Sequence, residues 1–271
     1  MSSFYNNLQK ALISDNISTK ELIIDELINH CQDNGDIDNN FTPIEIDTPS
    51  YASFCKIVAP KNLPKRRDFG SKNGLIALVH SITHIEYSAI DLALDAVYRF
   101  PSMPLEYKLD WLIVAQDEVR HFRMLHKVLD KLGVKYGDLP VHKGLFEMAY
   151  KTSKSPIDRM AIIPRYFEAT GLDVNPKIIS KLNSYKSSEI LEEVKSAMDV
   201  IYNEEIEHVR KGDKWFKYLC EKEGLNFMQA YQDILNKYNL KRDAKSFNIS
   251  GRKEAGFSCD ELIGLGVKKC S

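Results

Sequence analysis

Apolar residues return every three to four positions through most of the chain, and a sustained period of two appears nowhere, so the pattern predicts an all-α protein. Over residues 74–100 the stripe Leu75, Leu78, Ile82, Ile85, Ala89, Ala93 and Val97 marks a long helix, stopped by Pro101 and Pro104. A second long helix is expected over 105–132, with Gly133 placed to end it. Shorter helices are expected over 145–151, 156–170 and 175–186, where Asn175 and Pro176 read as an N-cap followed by proline at the first helical position. Another long helix should span 189–223 and stop at Gly224, and a last one should cover 226–238.

On either side of this region the pattern weakens. Residues 2–31 carry Leu8, Leu12, Leu22, Ile23 and Leu27 at helical spacing, with a helix start near Thr19. Residues 32–72 are rich in Asp and Asn and contain Pro43, Pro49, Pro60 and Pro64, which predicts an extended surface segment. After 238, Gly251, Gly256, Gly264 and Gly266 predict an irregular tail that packs back on the helices. Three regions follow: a helical preface with an extended segment (1–73), a helical bundle (74–238) and the tail (239–271).

Acidic residues and histidines interrupt the apolar stripes at particular places. Glu86 lies four residues after Ile82 and three before Ala89, so it faces inward. Glu118 is flanked in the same way by Trp111, Ala115, Phe122, Leu125 and Leu129, and His121 lies one turn on, beside Val114, Leu125 and Val128. Ile157, Ala161 and Pro164 lead to Glu168, while Val194, Met198 and Ile201 run into Glu205 and His208 and continue as Gly212, Trp215 and Leu219. Glu204 is also one turn from His208, but helical phase favours Glu205.

Glu, Glu-x-x-His, Glu, Glu-x-x-His is the ligand order of four-helix proteins that hold two metal ions. A buried carboxylate must be paired, protonated or given a metal, and four of them call for about two divalent ions. The three-residue step places a carboxylate oxygen and an imidazole nitrogen on one helical face. Such a mixed oxygen and nitrogen set suits iron or manganese more than calcium or a thiolate-bound metal.

Composition narrows the setting. The 271-residue chain is 44% hydrophobic, enough for a sizeable core, and its 37 Lys and Arg balance 38 Asp and Glu, so no global charge points to nucleic acid or an anionic membrane. The first residues are too polar for a secretory signal and no apolar run approaches the roughly 20 residues of a membrane span, which predicts a cytoplasmic protein. Cys31, Cys55, Cys220, Cys259 and Cys270 include no C-x-x-C step and read as reduced, mostly structural thiols.

Several other residues have a structural and a functional reading. His80 and His84 are expected on a polar helix face beside Tyr87 and Asp91 rather than around a separate ion. Asp91 is a candidate acceptor for the second ring N–H of His121 or His208. Tyr202 reads as a core tyrosine on the ligand face, and His142 as a residue that orders a loop or lines a pocket. Pro164 should kink its helix near Glu168. Lys61, Lys65, Arg66 and Arg67 read as a solvated basic run more than an RNA contact.

The segments HIEYSAIDLALDAVYRF, DWLIVAQDEVRHFRML, YGDLPVHKGLFEMA, MAIIPRYFEATGLDVNP and IYNEEIEHVRKGDKWF resemble the DUF455 family of ferritin-like proteins from about Gly74 onward. The resemblance implies a ferritin-like four-helix bundle with extra terminal helices and a di-iron or related centre on Glu86, Glu118, His121, Glu168, Glu205 and His208. More distantly, the chain is similar to di-iron hydroxylases that modify tRNA. The expected function is an O₂-activating oxidoreductase, needing a substrate and an electron donor, in a monomer or small homo-oligomer. The alternatives are a non-storage ferroxidase or iron- or manganese-binding protein without substrate hydroxylation, and a metal-free helical protein.

Overall fold

The computed structural model describes residues 4–33, 35–241 and 243–270, so the first two residues of the expected helical stretch 2–31 lie outside the described residues. Among the described residues the helices are α1 (Phe4–Ile13), α2 (Ile17–Gln32), α3 (Lys72–Arg99), α4 (Leu105–Leu132), α5 (Gly144–Lys151), α6 (Pro156–Ile162), α7 (Ala169–Leu182), α8 (Glu189–Lys222), α9 (Phe227–Lys237), α10 (Ile249–Glu254) and α11 (Cys259–Gly264). A π-wound segment, Ile163–Glu168, joins α6 to α7. These residues form no β-strand, and Ile57 meets Val141 only in an isolated parallel bridge. None of their helices is long and apolar enough to cross a membrane.

The chain divides into two compact units, Met1–Lys151 with Tyr185–Ala197, and Thr152–Ser184 with Met198–Ser271. In the first, α3 and α4 form a helical hairpin across a short Pro-bounded connection, because their apolar stripes can be buried only against another surface. Ser71 caps α3 by accepting the Gly74 N–H at 3.1 Å. Gly133 closes α4 at φ 77°, and the Val134 N–H reaches back to the Leu129 carbonyl. The segment between α2 and α3 contains two short 3-10 turns, Ser50–Ser53 and Pro60–Asn62, and is pinned to α3: the Ile44 N–H donates to the Tyr98 hydroxyl, and Arg99 donates to the Ile44 carbonyl at 2.9 Å. Asn16, not Thr19, caps α2, accepting the Thr19 N–H at 3.0 Å.

The second unit corrects three expectations. One helical run continues from Pro156 to Leu182, and Pro176 lies inside it rather than at a helix start. Proline lacks the N–H that would bond the Leu172 carbonyl, and that carbonyl accepts from Asn248 Nδ2 at 3.1 Å instead. Asn175, no cap, is buried and donates to the Met198 carbonyl. The tail is not irregular, since it contains α10 and α11, the latter begun by a capping box between Ser258 and Glu261. Cys259 and Cys270 form a disulfide, against the expectation of reduced thiols, because the turn after α11 brings their Cα atoms to 5.5 Å.

Candidate metal centre

In the first unit α3 and α4 bring three of the six expected ligands together. Glu86, Glu118 and His121 are buried at 3%, 0% and 0% exposure. His121 Nδ1 lies 3.2 Å from Glu118 Oε2 and 3.3 Å from Glu86 Oε2, so carboxylates of two helices meet on one ring. Each of the three residues offers a ligand atom within 4.8 Å of the others, a buried group that could hold a metal ion. Ile85, placed in the apolar stripe by sequence, is 43% exposed, because one helical step of about 100° separates it from the inward Glu86.

The electrostatics of this trio favour a cation. Burial resists charge on the His121 ring, but hydrogen bonds and charges from Glu118 and Glu86 outweigh it and push the pKa up to about 11. With a proton in that place the carboxylates hold the ring positively charged; a divalent ion would do more, accepting lone pairs from all three side chains. The donor set, oxygen and nitrogen without thiolate, is one that could hold a metal ion.

In the second unit Glu205 and His208 occupy consecutive turns of α8, with 3.7 Å between Glu205 Oε1 and His208 Nδ1. His208 is fully buried and the Glu205 side chain is 12% exposed. Glu168, of intermediate burial, closes the π-wound segment. The expected disturbance at Pro164 takes the form of that winding, in which the Ala169 N–H reaches the Pro164 carbonyl five residues back. Sequence reading gave no reason for Gly212 beyond its place on the stripe. One turn after His208, it lies where any Cβ would overlap the Pro164 ring, so its lack of a side chain lets the segment bearing Glu168 approach α8 closely.

The other singled-out residues have structural partners. Asp91 pairs with the buried Lys20 ammonium at 2.6 Å and accepts from Ser50 at 2.6 Å. Burial lifts its pKa above the ordinary carboxylate range, with Lys20 and Ser50 pulling against that rise. The Tyr202 hydroxyl accepts from Asn248 Nδ2 at 2.8 Å, as a core tyrosine should. His80 and His84 do share a face of α3, but they are buried beneath the turn-rich 133–143 segment. His84 Nε2 donates to the His142 carbonyl at 2.7 Å, leaving Nδ1 to accept from the Tyr136 hydroxyl at 2.8 Å. His80 Nε2 accepts the Gly137 and Leu139 N–H groups at 3.1 and 3.4 Å. His142 orders its loop, its Nδ1 accepting the Gly144 N–H at 3.1 Å where α5 begins.

Fold and site thus define an all-helical protein with a buried Glu and His group able to hold a metal ion. The model of a family described as "Protein of unknown function (DUF455)" matches residues 11–263, and the chain belongs to that family. It is 38% identical over 213 residues to an uncharacterized protein of Haemophilus influenzae, a match that covers 76% of this chain and 72% of the relative. No solved structure matches it.

Proposed function

We propose that this chain is a ferritin-like dinuclear metal protein whose centre activates O₂ as an oxidoreductase. The observation that carries the reading is the buried Glu86, Glu118 and His121 group, with the same Glu-x-x-His step repeated at Glu205 and His208. In this reading Glu86, Glu118, His121, Glu168, Glu205 and His208 are the ligands of two transition-metal ions, iron before manganese or a mixed pair. The ions supply Lewis acidity and one-electron redox chemistry when bound. The protein's part is to fix the donors: Glu118 orients the His121 ring one turn away through a 3.2 Å contact, and buried apolar residues such as Ala115, Phe122 and Leu125 limit water around the first group.

Metal analysis after anaerobic loading with iron(II) tests the assignment. About two ions per chain are expected, falling to one or none in Glu118→Ala with the helical content retained. A wild-type chain that binds no transition metal, or a variant that loads like wild type, sinks the proposal. Oxygen uptake by the loaded protein is expected to exceed the amount needed to oxidise its own ions once an electron donor is added. Uptake that stops at that amount in every donor and substrate mixture would point to a ferroxidase.

A further inference from the structure

The π-wound segment that ends at Glu168 also carries Arg165, a guanidinium with no exposure. Two carboxylates from different elements hold it. Its Nε lies 3.2 Å from Asp213 Oδ1 on α8, and its Nη2 donates to Glu261 Oε1 on α11. The rings of Phe216, Tyr231 and Phe257 surround the same guanidinium at 4.6, 4.4 and 4.7 Å from their centroids. The Arg165 carbonyl is fixed from outside the helix as well, accepting from the Tyr231 hydroxyl at 2.9 Å.

A charge buried this completely is costly unless both its partners stay in place, and nothing in ordinary helix formation requires it here. What it does accomplish is local. A π-wound turn has poorer intrinsic stability than an α-turn and survives where surrounding contacts hold it. Slipping by one residue would rotate the side chains that follow by roughly 100°. Glu168 is the last residue of that turn.

We propose that Arg165 is a positioning residue for Glu168: its clasp by Asp213 and Glu261 holds the π-wound turn and so aims the Glu168 carboxylate. The inference rests on the dinuclear reading only for what Glu168 is aimed at. It makes the carboxyl-terminal helix α11 a contributor to metal occupancy through Glu261.

The test uses the full-length protein with Glu261→Gln, which keeps an acceptor for the Ser258 N–H but removes the charge, and Arg165→Lys, which keeps the charge but loses the planar fork. Two readouts are needed. In the metal-free protein, amide exchange over residues 163–169 should accelerate by about tenfold or more in both variants while α3 and α4 exchange as in wild type. Cobalt(II) titration, followed by its visible absorption, should drop by one ion per chain in both. Lys237→Met, which removes an exposed partner of Asp158 in the same unit, should leave the cobalt count unchanged. Unchanged exchange over 163–169 overturns the clasp, as does full cobalt occupancy in both variants. A wild type that takes up no cobalt overturns the dinuclear reading instead, and the exchange measurement still judges the clasp.

Discussion

The Lys20 ammonium, fully buried, donates to the carbonyls of Ala11 and Leu12 and to Asp91, tying the N-terminal helices to α3 through one charge. Lys20→Met would leave Asp91 with Ser50 but without its counter-charge, a loss of about 3 kcal/mol. The urea midpoint measures it, and Asp91→Leu in the same chain should recover part of the loss. An unchanged midpoint in the single variant would show that the pair contributes nothing. His80 and His84 give a second residue-scale expectation. Burial is the main cause that lowers each pKa from 6.5 to about 4. Between those values the unfolded chain binds more protons than the folded one, so stability is full above pH 6.5 and falls as pH drops toward 4. The loss is on the order of 3 kcal/mol per ring at about 1.4 kcal/mol per pH unit. His84→Gln should flatten this slope in thermal melts taken across the window; an unaltered slope would assign it to other groups.

At the scale of elements, the helix from α6 to α7 is interrupted twice by proline and repaired by different means. At Pro164 the backbone rewinds to π geometry, and at Pro176 the displaced carbonyl of Leu172 takes a side-chain donor from Asn248. Asn248→Ala should therefore cost about 1–3 kcal/mol, because it leaves that carbonyl unsatisfied and also uncaps α10. In a Pro176→Ala background, where the helix regains its own N–H, the same change should cost about 1 kcal/mol less. Strict additivity in that double-mutant cycle would refute the repair. Gly212 is the matching case for packing between elements. Gly212→Ala drives a methyl into the Pro164 ring, so it should lower metal occupancy together with stability, whereas Gly171→Ala, where a Cβ meets nothing within 4 Å, should leave occupancy as it was.

For the whole molecule, metal held by the proposed ligands would be linked to the folding equilibrium. Ions that bind only the folded state stabilise it by about 2.7 kcal/mol at a hundredfold excess over Kd. Anaerobic iron(II) or manganese(II) should raise Tm, and a chelator should reverse the shift. Calorimetry would check this, and a Tm indifferent to both would count against the proposed metal centre.

The boundaries of α4, the end of α8 at Gly224 and the inward phase of Glu86 and Glu118 were legible from the chain alone, because helix period and Gly or Pro stops are local properties. The type and spacing of the six candidate ligands were legible for the same reason. What tertiary structure decided depends on partners far away in sequence. Pro176 looked like a helix start because its rescue comes from Asn248, far along the chain. His80 and His84 looked solvated because the 133–143 segment that buries them is recognisable only once folded. Cys259 and Cys270 read as thiols because their meeting requires the turn after α11. Arg165, which no local pattern in the chain singles out, gains its role from Asp213 and Glu261. Local periodicity determines which face a residue occupies, while burial energetics, set by whatever covers that face, decide what the residue does there.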